Sequence, residues 1–286
     1  NFKGQIQPKK LKLNINKWIY SELIDTSKSA ENFIKNYRFD EASKIIYKFV
    51  WNSYCDWYLE LSKTILFTKN KKFIQEVRNT SGLVFKEILV LLHPFIPFIT
   101  EELWLKNKLG SKNSKYLMLT PWINKDRVKQ DKEILNVNQV IQVISLLRSF
   151  KNELNVNPGS FVDISIKSVS KSKQNLFLNN EVILKKLGRI NSIHTNDLNT
   201  EFASLVVAGE IFKIYFDKTI DLSLIKDNLI KKKSKYSKDL ETISKKLNNK
   251  SFVERAPKHI VEQEKNTYNE LKNDLDKINL TIKSLK

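Results

Sequence analysis

The chain has 286 residues and carries 50 lysines and arginines against 31 aspartates and glutamates, a formal net charge of +19. Its length favours about two domains, and its six glycines and six prolines argue against a collagen-like repeat or a glycine-rich phosphate cradle. One cysteine excludes an internal disulfide and a zinc site built on several thiolates, and no apolar run is long enough for a membrane span. Because the first residue is Asn1 and the sole methionine is Met118, we expect a piece of a longer protein.

The positive charge suggests a polyanionic partner, most simply a nucleic acid. Lysines outnumber arginines 44 to 6 and asparagine is abundant, so AT-rich coding is an alternative explanation. The distribution favours binding, because residues 223–250 carry nine basic and three acidic side chains, whereas residues 251–286 carry seven and six. A basic stripe of this kind suits a surface that contacts phosphates.

Residues 1–122 are predicted to form a helix bundle. Apolar side chains recur every three to four residues over residues 15–37, and two further segments keep the same spacing. We expect Asp40 to cap the second helix, Pro94 to end the third and Thr100 to cap a short fourth. All five tryptophans fall in this block, which predicts an aromatic-rich core.

Residues 123–222 are predicted to form a small α/β unit. The pattern predicts, in chain order, a helix over 131–154, a turn at 157–159, a strand over 162–166, a helix over 173–187 that Gly188 caps, and a β-hairpin around Gly209.

Residues 223–286 are predicted to form an antiparallel coiled-coil arm. In its second half, positions three and four residues apart make a heptad seam with one polar member: Val261, Glu264, Tyr268, Leu271, Leu275, Ile278, Ile282 and Leu285. A looser seam precedes it: Ile225, Leu229, Tyr236, Leu240, Ile243 and Leu247. Residues 248–257 interrupt both patterns, so we expect a turn there and two projecting helices of roughly 35–40 Å. The predicted fold class is therefore mainly α.

No catalytic residue, metal site or cofactor site is predicted in this chain. The three histidines, His93, His194 and His259, lie far apart and have no cysteine or paired carboxylate at ligand spacing. Cys55 is expected to be a buried, inert thiol. Residues 168–172 are similar to the lysine–serine loop with which class I aminoacyl-tRNA synthetases hold ATP, but a serine replaces the first lysine. We expect a surface loop there.

The strongest candidates for binding are basic side chains of the arm, which can offer point charges to phosphates. They are Lys231, Lys232, Lys233, Lys235, Lys238, Lys245, Lys246, Lys250, Arg255 and Lys258. The alternative is a structural arm that contacts other proteins, for which a charged, solvated face is also ordinary.

Several motifs resemble the valyl-tRNA synthetase family. In the bundle they are residues 16–19 (NKWI), 37–42 (YRFDEA), 47–51 (YKFVW), 55–61 (CDWYLEL) and 93–104 (HPFIPFITEELW). The last of these is shared with isoleucyl and leucyl enzymes, so corresponding parts of those enzymes are the other alternative. Residues 246–257 (KLNNKSFVERAP) resemble the turn of the valyl enzyme's C-terminal arm, and the cysteine-bound zinc module with which isoleucyl enzymes commonly end has no counterpart here.

The resemblance implies that the bundle receives the anticodon stem-loop of valine tRNA and that the arm contacts the outer corner of the tRNA. Further contacts are expected from the bundle and from the basic end of the helix before the turn: Arg38, Lys44, Lys48, Arg148 and Lys151. It also implies a cytoplasmic, monomeric protein without a membrane partner. Catalysis with ATP and magnesium would lie in the parent enzyme, and this chain alone would be inactive.

Overall fold

The computed structural model describes residues 10–110, 115–123, 132–207, 209–217, 220, 222–249 and 258–285. As predicted, the fold is mainly α, with one small sheet. The chain divides into two compact units, Asn1–Gln142 and Val143–Lys286. Within the described ranges, no helix combines the length and the apolar character that a bilayer crossing would need.

The first unit is a helix bundle. Its elements are α1 (Asn14–Lys35), α2 (Phe39–Lys48), a π-helical segment (Phe49–Tyr58), α3 (Leu59–Leu66), α4 (Lys71–Leu92), α5 (Pro97–Lys106), a 3₁₀ turn (Leu117–Leu119) and the first part of α6 (Lys132–Glu153). Trp18 and Trp104 lie in the core. The Trp18 indole donates a hydrogen bond to Asn138 Oδ1 at 2.8 Å, which ties α1 to α6.

The π-helical segment changes which side chains face the core. The buried positions step by five residues from Phe49 to Tyr54, instead of the three or four of an α-helix, and then continue at Tyr58. The Tyr58 hydroxyl donates to Asn16 Oδ1 at 2.8 Å. Cys55 is thereby turned outward and is exposed, so the prediction of a buried thiol is wrong. Trp51 is exposed as well, so the aromatic-rich core does not take in every tryptophan.

Two predicted helix caps are also wrong. The residue before α2 is Arg38, and Asp40 lies inside its first turn. The helix α5 begins at Pro97, where a missing N–H costs nothing. Thr100 lies within α5, where its hydroxyl donates to the Ile96 carbonyl at 2.9 Å.

The second unit contains a four-stranded mixed sheet. Its strands are β1 (Val162–Ser165), β2 (Ile190–His194), β3 (Ala203–Val207) and β4 (Glu210–Phe216), in the order β2-β1-β4-β3. The strands β1 and β2 are parallel and are joined through α7 (Lys171–Asn179) and α8 (Glu181–Gly188). The strands β3 and β4 form the predicted hairpin, and Gly209 between them has a φ of 80°, a conformation that suits glycine.

Two details of the α7–α8 region differ from the prediction. Two short helices replace the single helix, and Gly188 is the last residue of α8, whereas the left-handed C-cap position belongs to Arg189. Gly188 instead lies in a close approach to the next strand. A Cβ atom there would lie 3.0 Å from the Ile190 side chain, so the chain turns closely into β2.

The arm consists of α9 (Leu222–Asn248) and α10 (Lys258–Ser284), which pack against each other. Among the side chains of the pair that the structure describes, four predicted seam members are buried, Leu229, Ile243, Val261 and Ile278, as is Thr281 outside the seam. An isolated antiparallel bridge joins Leu285, just after α10, to Ala203 in β3. The predicted turn at residues 248–257 lies mostly outside the described residues.

Candidate nucleic-acid interface

The helix α9 presents a basic face directly opposite its apolar seam. Four lysines at intervals of four, three and seven residues share this outward face, because an α-helix repeats every 3.6 residues: Lys231, Lys235, Lys238 and Lys245. All four are exposed. They extend over about 21 Å of helix at 1.5 Å per residue. We call these four residues the outward lysine face.

The other predicted lysines of α9 lie beside the seam. The Lys232 ammonium lies 5.4 Å from the centre of the Tyr236 ring. Lys246 Nζ lies 3.2 Å from Glu264 Oε1 and so joins α9 to the polar member of the α10 seam. Lys233 flanks the seam on the other side and is exposed. These three lysines therefore lie nearer to α10 than the outward lysine face does.

Within the outward lysine face, Lys245 is held by a neighbour on its own helix. Its ammonium lies 2.6 Å from Glu241 Oε1, and this contact lowers the pKa of the Glu241 carboxyl. Lys250 and Arg255 lie outside the described residues, as does the side chain of Lys258, where α10 begins.

Lys151 does not lie on a surface, contrary to the prediction. Its side chain is 1% exposed, and Nζ donates to the carbonyls of Ser160, Gly188 and Arg189 at 2.9, 3.2 and 3.4 Å. Burial, Arg148 and Arg189 lower its pKa to about 8. A phosphate cannot reach this ammonium, so Lys151 is not part of the interface.

Arg148, one turn earlier in α6, is exposed but is also held by the chain. Its guanidinium donates twice to the Leu187 carbonyl, from Nε at 3.2 Å and from Nη2 at 2.7 Å. Together Arg148 and Lys151 supply cations to the carbonyl end of α8, where the helix dipole favours them. Their main contacts are therefore structural.

In the first unit, Lys44 and Lys48 are exposed on α2. Arg38, just before α2, lies 3.6 Å from Glu41 and stacks over the Phe33 ring at 5.0 Å. The prediction missed two exposed aromatic side chains beside these lysines, Tyr47 in α2 and Trp51 in the π-helical segment that continues it. The spacing of Lys44, Tyr47, Lys48 and Trp51 was the available signal, because steps of three, one and three residues place all four on one helix face.

His93 and the serine-rich loop, which the sequence also singled out, have structural contacts. His93 Nδ1 lies 2.9 Å from the Thr100 hydroxyl, which links the end of α4 to α5. In the serine-rich loop, the Ser170 hydroxyl donates to Glu210 Oε1 at 2.9 Å, and Lys173 pairs with the same carboxylate at 3.1 Å.

The exposed Cys55 thiol has a raised pKa, because of partial desolvation and the neighbouring Asp56. Among the described residues, no group of histidine, cysteine and carboxylate side chains could hold a metal ion.

Comparison with protein families matches both units. The anticodon-binding domain of tRNA ligases matches residues 16–166, and the tRNA-binding arm of valyl-tRNA synthetases matches residues 221–286. The outward lysine face therefore lies in the segment matched by the arm, and α2 lies in the segment matched by the anticodon-binding domain.

Relatives among curated proteins agree with these matches. The chain is 55% identical over 275 residues to the valine–tRNA ligase of Pelagibacter ubique, covering 96% of the chain and 31% of the relative. It is 35% identical to that of Bartonella henselae, covering 98% of the chain and 31% of the relative, and 32% identical to that of Aquifex aeolicus, covering 94% and 24%. The chain thus spans less than a third of the length of these relatives. It belongs to the anticodon-binding family of tRNA ligases, of the valyl-tRNA synthetase type.

Proposed function

We propose that this chain is the tRNA-binding part of a valine–tRNA ligase and that its partner is valine tRNA. The bundle would receive the anticodon stem-loop, and the arm would contact the outer corner of the tRNA. Joining valine to the tRNA, with ATP and magnesium, would belong to the part of the enzyme beyond the matched region, so this chain alone would be catalytically inactive. It would act in the cytoplasm as a monomer.

The outward lysine face of α9 is the observation that carries this proposal. Its four ammonium groups lie on the side opposite the seam, so they can approach a partner while α10 stays packed. Among the described residues, ion pairs within 4 Å are recorded for Lys245 but not for Lys231, Lys235 or Lys238. Three cations in a row are thus available to phosphates without first breaking an ion pair.

Flexible lysines along a straight helix suit the backbone of a folded RNA. Each lysine is a compact point charge that can follow a phosphate over several ångströms, and binding releases the counterions condensed on the RNA. Affinity should therefore fall steeply as the salt concentration rises. The acidic side chains of α10 keep its charge close to balance, which favours contact through α9.

The experiment compares two triple variants with the same change in net charge. We expect K231Q/K235Q/K238Q to bind a valine tRNA transcript more weakly and to reduce the slope of log affinity against log salt by roughly 2 to 3, at about 0.7–0.9 per phosphate contact. The matched control, K265Q/K272Q/K283Q, removes three exposed lysines from α10 and should change the slope much less.

Two outcomes would count against the proposal. If both triple variants lose affinity equally, only the total charge matters, and the arm has no specific face for RNA. If neither loses affinity, the arm does not bind tRNA, and the alternative of an arm that contacts other proteins is supported. Far-UV circular dichroism of each variant checks that both helices persist.

A further inference from the structure

The outward face of α2 and of the π-helical segment that continues it alternates between basic and aromatic side chains: Lys44, Tyr47, Lys48 and Trp51. The opposite face of the same stretch supplies the core contacts: Ala42, Ile46 and Phe49. The whole segment 42–55 contains two lysines and no acidic residue. Asp40 and Glu41, in the first turn of α2, lie four and three residues before Lys44 on the same side of the helix. The face therefore combines two lysines with aromatic surface, next to carboxylates at its amino end.

The two aromatic rings are largely in solvent. Tyr47 is 64% exposed and Trp51 is 56% exposed. Their planes are inclined by 6° and their centroids lie 6.2 Å apart, so the rings run parallel. Their mutual contact on one helix adds only a little to its stability. Packing of the core therefore does not account for two large rings at these positions.

A second exposed aromatic pair lies at the amino end of α2. Tyr37 is 83% exposed and has a φ of 59°, a conformation that glycine usually takes after a helix and that is unfavourable for a bulky residue. Its ring meets the half-exposed Phe39 ring edge to face, with centroids 6.4 Å apart. The same left-handed conformation follows other helices of the chain, at Lys108, Asn155 and Arg189, so it reflects the way α1 ends. What distinguishes Tyr37 is that its ring buries little apolar surface.

We propose that unpaired nucleobases of the bound RNA stack on the exposed faces of Tyr47 and Trp51, while Lys44 and Lys48 contact the phosphates on either side. Every base has a π-face, so aromatic platforms take unpaired bases without needing one sequence, and neighbouring cations hold the backbone. This inference rests on the proposed function and assigns a specific helix face to it.

Charge argues for RNA over a second protein as the occupant of this face. An apolar protein surface would cover the rings but would also have to bury the ammonium groups of Lys44 and Lys48, which is costly without partners. An RNA loop can contact both the rings and the ammonium groups, because it presents flat bases and negative phosphates together.

The test separates stacking from general apolar contact. In Trp51→Leu and Tyr47→Leu the side chain stays apolar but loses its π-face, whereas Trp51→Phe keeps a ring. The matched control is Phe98→Leu, which removes the 90%-exposed ring of α5. The ligands are a valine tRNA transcript and a fully paired RNA duplex, titrated at one fixed salt concentration.

We expect each leucine variant at positions 47 and 51 to bind the tRNA roughly 5- to 100-fold more weakly, as loss of one base stack would produce. Trp51→Phe and Phe98→Leu should bind close to the unsubstituted chain, and duplex binding should not change. The slope against salt should stay the same in all of these variants, because no charge is removed.

Failure of the inference is distinguishable from failure of the proposed function. If the unsubstituted chain binds tRNA with a steep salt dependence but both leucine variants bind equally well, the rings do not stack on bases and only the inference is wrong. Equal losses toward tRNA and duplex would also overturn it. If the unsubstituted chain does not bind tRNA at all, the proposed function fails, and this inference fails with it.

Discussion

A single lysine in the interior of the second unit joins three segments that are distant along the chain. The Lys151 ammonium extends from α6 to the turn before β1 and to the corner between α8 and β2. A buried cation is tolerated when hydrogen bonds replace its water, and here carbonyl oxygens do so. The sequence placed Lys151 near a basic helix end, but spacing within α6 could not reveal that the carbonyl end of α8 comes to meet it.

The lowered pKa of Lys151 predicts a specific pH dependence of stability. The pKa of Lys151 falls from 10.5 to about 8 on folding. Between pH 8 and pH 10.5 the lysine is therefore more fully protonated in the unfolded chain than in the folded chain. The contribution of Lys151 to the free energy of unfolding should therefore increase as the pH rises from 8 to 10.5, by up to about 3 kcal/mol, and be lost as the pH falls through 8.

Urea unfolding of the chain and of Lys151→Met at several pH values tests this. Far-UV circular dichroism is the suitable probe, because all five tryptophans belong to residues 1–122 and their fluorescence does not report on the second unit. The difference between the two proteins should shift in favour of lysine as the pH rises. A difference that stays constant with pH would show that the Lys151 ammonium is not desolvated.

At the scale of elements, the ends of long periodic helices could be predicted well. Which side chains of a helix face the core was harder to predict. The ends of α1 and α6 lie within about two residues of the predicted positions, and α4 ends at Leu92, shortly before Pro94, since their apolar stripes are unbroken. The π-helical segment after α2 has no comparable signal, so the exposure of Cys55 was missed. A side-chain period inferred from one turn fails wherever the backbone adds a residue to the next turn.

The seam of the arm makes a prediction that adjacent residues can test. Leu229 is 6% exposed against α10, whereas the next residue, Ile230, is 47% exposed. Leu229→Ala should destabilise the packing of α9 on α10 by roughly 2–3 kcal/mol, because it removes buried methyl groups and leaves a cavity. Ile230→Ala should cost far less. Hydrogen exchange of the α9 and α10 amides measures both, and equal effects would contradict the seam.

At the scale of the whole molecule, the distribution of charge was more informative than its total. The net charge of +19 fitted either RNA binding or a drift in composition. The excess of lysine in α9 over α10, together with the seam, allowed the outward lysine face to be predicted as part of a larger set. The structure shows which lysines of that set form ion pairs, with Glu264 or Glu241, and the sequence does not show this.

Hydroxyl-radical footprinting on valine tRNA tests the central claim most directly, because it examines both ends of the contact at once. We expect protection of the anticodon stem-loop and of the outer corner where the D and T loops meet, with the corner protection alone lost in K231Q/K235Q/K238Q. Absence of protection at the corner, or corner protection that survives in that variant, would contradict the claim that the outward lysine face of α9 binds the tRNA.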